Sequence, residues 1–323
     1  MRMRIFTLVA ALMVAGLFPA FAKGAGYEPP QPSQDVAVVR DTWHDAARNR
    51  DVPVKIYYPA KGAGPFPVII FSHGLGGSRE GYEYLGRYWA GCGYVSVHLQ
   101  HLGSDTAVWL SPGGPAAAIK DLKNAVDRVK DVPFAIDQLT ALNAAKGAAL
   151  FGKMDLGEIG ISGHSFGGFT TTAVAGEDFG PGLPSGADLR IKAGVAMSAP
   201  VPPVGQREHA FEKITIPVFY MTGTLDDSPI GETKAGERRQ PFDDTAHAES
   251  CLVIFKGADH MVFSGHIVPR EADKAYQALI CEGSVAFWDA YLKGDKEAKE
   301  WLYNGSFTKA LGETGTFEKK GVK

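Results

Sequence analysis

The chain has 323 residues, 45% hydrophobic and 21% charged, with 33 Lys and Arg against 36 Asp and Glu. That balance describes a globular chain able to bury a large core and excludes a disordered or fibrous one. Its formal net charge of −3 argues against a nucleic-acid partner, which a basic surface would recruit.

The chain opens on a basic segment, Met1-Arg2-Met3-Arg4, followed by an apolar stretch over 5–18 and by Ala20-Phe21-Ala22, which fits a cleavage site. This is the pattern of a secretory signal peptide over 1–22. The apolar stretch falls short of the about 20 residues that a membrane span needs. The expectation is an exported chain, periplasmic or secreted, with no stable membrane span after cleavage. Residues 23–34, rich in Pro and Gly, should run extended over the surface, and 35–323 should form one domain without internal repeat or linker.

Candidate strands follow over 36–40, 52–58, 66–72, 94–98, 158–162, 193–198, 217–221 and 251–255. Several are continuous apolar runs, as parallel strands covered on both faces should be. Helical stretches alternate with them over 82–92, 116–129, 134–145, 166–175 and 272–293. The alternation predicts an α/β fold, a mostly parallel, eight-stranded sheet with helices on both faces.

The strand over 66–72 ends in His73-Gly74-Leu75-Gly76-Gly77-Ser78. Glycines let a backbone approach a ligand closely, and such a loop can aim an N–H group, here that of Leu75, at a developing oxyanion. His73 reads as a brace for this loop rather than as a base. The connection over 99–157 is longer than an α/β core requires. It carries Val108-Trp109-Leu110 beside Pro112-Gly113-Gly114-Pro115, a bulky apolar group next to a flexible turn, suited to capping a site or to covering the sheet edge.

The strand over 158–162 runs into Gly163-His164-Ser165-Phe166-Gly167 and Gly168, the pattern of a nucleophile elbow. A serine on so tight a strand-to-helix turn needs small residues at both flanks, and the turn aims a helix N-terminus at its hydroxyl. The N–H of Phe166, the next residue, would be the second oxyanion donor. Such a serine needs a histidine to take its proton and a carboxylate to orient that histidine. Past the strand over 217–221, Thr222-Gly223-Thr224 leads to Asp226 and Asp227; Asp226, three residues beyond Gly223, is the preferred acid and Asp227 the alternative. The strand over 251–255 leads into Lys256-Gly257-Ala258-Asp259-His260, which makes His260 the candidate base. Ser198, at the end of the strand over 193–198, is expected to line the pocket floor, with His73, Gly74, His164 and Trp109 as further wall candidates. The connections over 176–189 and 228–250 complete the surroundings. The second carries Glu232, Lys234, Glu237, Arg238, Arg239, Asp243 and Asp244, a mixture that reads as a solvated loop, or alternatively as a charged rim.

Ser165, then Asp226 or Asp227, then His260 is the chain order of an α/β-hydrolase and differs from the orders of the chymotrypsin and subtilisin folds. Phe71-Ser72-His73-Gly74-Leu75-Gly76-Gly77, Gly93-Tyr94-Val95-Ser96-Val97-His98-Leu99-Gln100-His101 and Gly163-His164-Ser165-Phe166-Gly167-Gly168 resemble the platelet-activating factor acetylhydrolase and lipase-like branch of that fold. Bacterial members of the branch are often labelled predicted dienelactone hydrolases. The resemblance spans most of the mature chain and implies a serine esterase over 35–323, with Ser165 as nucleophile, His260 as base, an Asp of the 226–227 pair as orienter and Leu75 and Phe166 as oxyanion donors. True dienelactone hydrolases use a cysteine nucleophile, so Ser165 argues against dienelactone as substrate. The expected partner is a small-molecule ester with a short acyl chain. A cutinase-like polyester hydrolase and a peptidase or amidase on the same fold are the alternatives, and a non-enzymatic binding protein is the remaining class.

No metal or organic cofactor is implied, since no spacing of Cys, His, Asp and Glu resembles a closed zinc site. Of the three cysteines, Cys92 reads as a packing residue. Cys251 and Cys281 either pair in an oxidising compartment or pack as small apolar residues. The sequence carries no signal for an oligomeric state.

Overall fold

Along Phe66–Ser72 successive side chains point to opposite faces, and both faces are apolar: Ile69 and Phe71 enter one core, Val68 and Ile70 the other. A strand buried in this way needs a helical layer on each side. A computed structural model of the protein, which describes residues 26–202, 209–266 and 270–322, supplies those layers. The signal peptide read over 1–22 lies outside the described residues.

The sheet has nine strands, β1 (Val36–Asp45), β2 (Arg50–Pro59), β3 (Phe66–Ser72), β4 (Val95–Leu99), β5 (Met154–His164), β6 (Ile191–Met197), β7 (Val218–Leu225), β8 (Ser250–Asp259) and β9 (Gly315–Lys320), in the order β1-β2-β4-β3-β5-β6-β7-β8-β9. Pairing is parallel from β4 through β8 and antiparallel at both edges. The expected eight strands are thus joined by a ninth. Its sequence, GTFEKK, is half charged and lysine-rich, as suits an exposed edge, so it lacks the apolar run that marks its neighbours.

The helices are α1 (Glu83–Gly91), α2 (Gly114–Ala118), α3 (Leu122–Ala144), α4 (Phe166–Ala175), α5 (Gln240–Asp244), α6 (Glu271–Leu292), α7 (Lys296–Tyr303) and α8 (Ser306–Leu311). Leu85 and Trp89 of α1, Val285 and Trp288 of α6, Leu302 of α7 and Phe307 of α8 share one core with Ile69 and Phe71; Val132, Ile136 and Leu139 of α3 and Val174 of α4 share the other with Val68 and Ile70. The two helices expected over 116–129 and 134–145 are corrected to the short α2 and the continuous α3, which runs through Pro133. Proline removes one helical hydrogen bond, but the buried stripe Arg128, Asp131, Val132, Ala135, Ile136, Leu139 continues across it.

The lead-in packs rather than floats, with Ser33 N–H donating to Gly91 O (3.0 Å) and the Tyr27 hydroxyl to Asp289 (2.7 Å). Cys251 and Cys281 sit in the same core as free thiols, which settles their reading as packing residues and corrects the disulfide alternative. Among the described residues no helix is long and apolar enough to cross a membrane, and no group of three or more His, Cys, Asp or Glu is placed to hold a metal ion.

Candidate active site

Strand β5 and helix α4 meet at Ser165, whose backbone has φ 57° and ψ −116°. A left-handed φ is strained for a residue with a Cβ, and here the surrounding backbone enforces it. A Cβ on Gly163 would run into the Gly167 carbonyl, and one on Gly167 into the Ser72 carbonyl at the end of β3. The two glycines therefore let the elbow lie directly against the neighbouring strand.

Strands β7 and β8 end side by side, with Leu225 paired to Asp259 past an irregularity in the ladder. This register brings the next residues, Asp226 and His260, together. His260 Nδ1 lies 2.6 Å from Asp226 Oδ1, and His260 Nε2 lies 2.9 Å from Ser165 Oγ. Because an ionised carboxylate only accepts, Nδ1 carries the ring proton and Nε2 is left to accept from the serine hydroxyl. The other oxygen of the fully buried Asp226 accepts from Ser198 Oγ (2.6 Å) and Thr222 Oγ1 (2.7 Å). Asp227 turns outward, where its carboxylate accepts from Lys234 Nζ (3.2 Å) and the Ala235 N–H (2.9 Å), contacts that hold it below its ordinary range.

The loop after β3 lies against the elbow, with Gly74 packed on His164. Among the described residues neither the Leu75 N–H nor the Phe166 N–H has a hydrogen-bond acceptor. His73 is buried and braces the loop: its Nδ1 donates to Gly74 O (2.7 Å) and its Nε2 accepts from the His101 N–H (3.1 Å). Burial and then the nearby Arg128 keep it well below the usual histidine range, and hence neutral.

Beneath the loop, Ser72 Oγ lies 2.6 Å from His101 Nε2, and His101 Nδ1 2.9 Å from Asp131 Oδ2. This second Ser-His-Asp array is sealed from solvent and cannot meet a substrate; it fixes the end of β3. Arg128, also fully buried, donates to Ser104 Oγ (2.9 Å), Thr170 Oγ1 (3.1 Å) and the His73 carbonyl, and stacks 4.4 Å over the Phe166 ring. It thereby joins both segments that carry the free N–H groups. Burial pulls its pKa down to about 9.

The wall candidates divide. Trp109 is 60% exposed and its indole donates to Gly76 O (2.9 Å), which lays it over the loop after β3. Gly74, within that loop, and His164 behind it are buried and joined by Tyr82, whose hydroxyl accepts from the Gly74 N–H (3.3 Å) and lies 2.9 Å from His164 Nδ1. Ser198 is buried, and its hydroxyl donates to Asp226. Tyr82 and Arg128 escaped the sequence reading because a helix-start tyrosine and a mid-helix arginine carry no distinguishing pattern. Arg238 was absorbed into a solvated loop, which is corrected: it is 3% exposed and reaches the Asp226–His260 pair.

Residues 36–110, from the start of β1 through β4 and the 3-10 turn that follows it, match the family model for platelet-activating factor acetylhydrolase, isoform II. The chain is also 25% identical over 291 residues to the platelet-activating factor acetylhydrolase of Cavia porcellus, a match covering 77% of this chain and 63% of that one. Both matches are to platelet-activating factor acetylhydrolases, and with the mostly parallel nine-stranded sheet they support a platelet-activating factor acetylhydrolase-like, lipase-like α/β-hydrolase. Proteins of the same name from Canis lupus familiaris and Bos taurus are 22% and 25% identical, over 75% and 73% of this acetylhydrolase-like chain and 61% and 59% of theirs. The match thus spans less than two thirds of the length of these relatives.

Proposed function

We propose that the protein is an exported serine hydrolase that cleaves carboxylic esters with short acyl chains. The observation that carries this reading is the unbroken contact from Ser165 Oγ through His260 to Asp226, at 2.9 and 2.6 Å, on a strained turn at a helix N-terminus. Ser165 Oγ attacks the ester carbonyl while His260 Nε2 takes its proton, and Asp226 stabilises the imidazolium that forms. The free N–H groups of Leu75 and Phe166 receive the developing oxyanion, a role worth about 3 kcal/mol per donor in related chemistry. Collapse expels the alcohol, which takes the proton from His260. Water, activated by the same histidine, then releases the acid and restores Ser165. The name of the relatives, acetylhydrolase, supports a short acyl group.

The test is hydrolysis of p-nitrophenyl esters from acetate to palmitate by the mature protein and by Ser165→Ala. Activity concentrated on short chains and lost in the variant is expected; activity that survives in Ser165→Ala would overturn the reading. Export rests on the residue pattern over 1–22 and is tested by N-terminal sequencing of protein recovered outside the cytoplasm. A start at Lys23 is expected, and an intact Met1 contradicts cleavage.

A further inference from the structure

Arg238 follows a single 3-10 turn, Ala235–Glu237, in the charged connection between β7 and β8. Its Nε donates to the backbone carbonyl of Asp226 (3.0 Å) and its Nη1 to that of Ser198 (2.6 Å). The same guanidinium lies 3.4 Å from Asp226 Oδ1 and, through Nη2, 3.4 Å from His260 Nδ1. A guanidinium has no acceptor to offer, and His260 Nδ1 already donates to Asp226. The contact with the ring is therefore one of charge, not a hydrogen bond. Burying a cation is costly unless it is paired; burial draws Arg238 below its ordinary range, and Asp226 opposes that shift.

We propose, on the basis of the ester-hydrolase reading, that Arg238 is a positioning residue: it ties the chain ends past β6 and β7 so that Asp226 keeps its aim at His260, and its charge disfavours a second positive charge on the imidazole. Facing the ring are Asp226 from β7, Arg238 itself, Ser165 at the start of α4, and His164 from β5 with ring centroids 4.7 Å apart. Asp259 on β8 adjoins it, itself engaged by His266 and Arg270, which also bind Asp273 of α6. His164 is held neutral by burial first and then by the charges of His260 and Arg238. Asp226 and Arg238 thus face the ring with opposite charges.

The test is the pH profile of kcat/KM on a p-nitrophenyl ester. Removing the charge in Arg238→Met is expected to move the acid limb to higher pH by about one unit and to lower the plateau about tenfold. Arg238→Lys keeps the charge but not the forked donors, so its limb stays close to the wild type while its plateau falls. A merely structural residue would lower the plateau in both variants and leave the limb in place; that result, or a limb shift in Arg238→Lys equal to that in Arg238→Met, overturns the proposal. Arg238→Gln repeats the neutral arm should Arg238→Met fail to fold, with the same shift expected. Activity persisting in Ser165→Ala would instead overturn the ester-hydrolase reading, whereas activity lost there with an unmoved limb in Arg238→Met sinks only the role of Arg238.

Discussion

Asp226 and Asp227 are adjacent in sequence and opposite in fate: the first places Oδ1 2.6 Å from His260 Nδ1, while the second faces solvent and holds Lys234 and the Ala235 N–H. An irregularity in the β7–β8 ladder between Gly223 and Leu225 immediately precedes the pair. Asp226→Asn is expected to keep the geometry and present the wrong hydrogen-bond partner to His260, lowering kcat by about ten-thousand-fold. Asp227→Asn should stay within about twofold. Steady-state kinetics on both variants decides the matter, and a larger loss in Asp227→Asn would reverse the assignment.

Gly167→Ala should be poorly tolerated, because its Cβ meets the Ser72 carbonyl, which a flexible side chain cannot yield for. Overpacking of this kind costs about 1–3 kcal/mol or more. Thermal unfolding followed by circular dichroism should show a clear drop in Tm. An unchanged Tm would mean that the elbow does not sit so tightly on β3.

Asp131 supplies an acid-sensitive share of stability. Burial alone would raise its pKa, but hydrogen bonds from His101 and Arg50 outweigh burial and lower it from 3.8 to about 2. Because the folded value lies below the unfolded one, the contribution is present above about pH 4 and is lost as pH falls toward 2, on the order of 2 kcal/mol. Urea titrations between pH 5 and pH 2 should show the decline. Asp131→Asn, which leaves Arg48, Arg50 and His101 facing a neutral group, should be less stable at pH 7 and show a shallower slope.

Glu177 acts in the opposite sense. It is buried with the Thr172 hydroxyl as its hydrogen-bonded side-chain partner (2.5 Å), and burial raises its pKa from 4.5 to about 8. A folded value above the unfolded one gives stability that is full below about pH 4.5 and is lost as pH rises through 8. Glu177→Gln should remove that loss, gaining on the order of a few kcal/mol at pH 8 and little at pH 4. Equal stability of the two proteins at both pH values would place the carboxylate in a wetter site.

Much of the fold was legible because parallel strands buried on both faces tend to be continuous apolar runs, and several of β3 through β8 were recognisable on that ground. The edge strand β9 was not, since an exposed edge has no such run to show. Pro133 misled for a local reason: proline disfavours a helix interior, but packing along α3 overrode that preference. At the site, Ser165 and His260 stood out because each follows an apolar strand and sits in a glycine-bearing segment.

The order Ser165, Asp226 or Asp227, His260 and the glycines that permit the elbow could be read along the chain, because both are properties of short segments and chain order. Which aspartate meets the histidine, that Ser198 serves that aspartate, and that Arg238 leaves a charged loop to lie against both emerge from the packed fold. Those choices depend on strand register and on how a buried charge finds partners across 12 to 40 residues of chain, and neither is written in any local pattern.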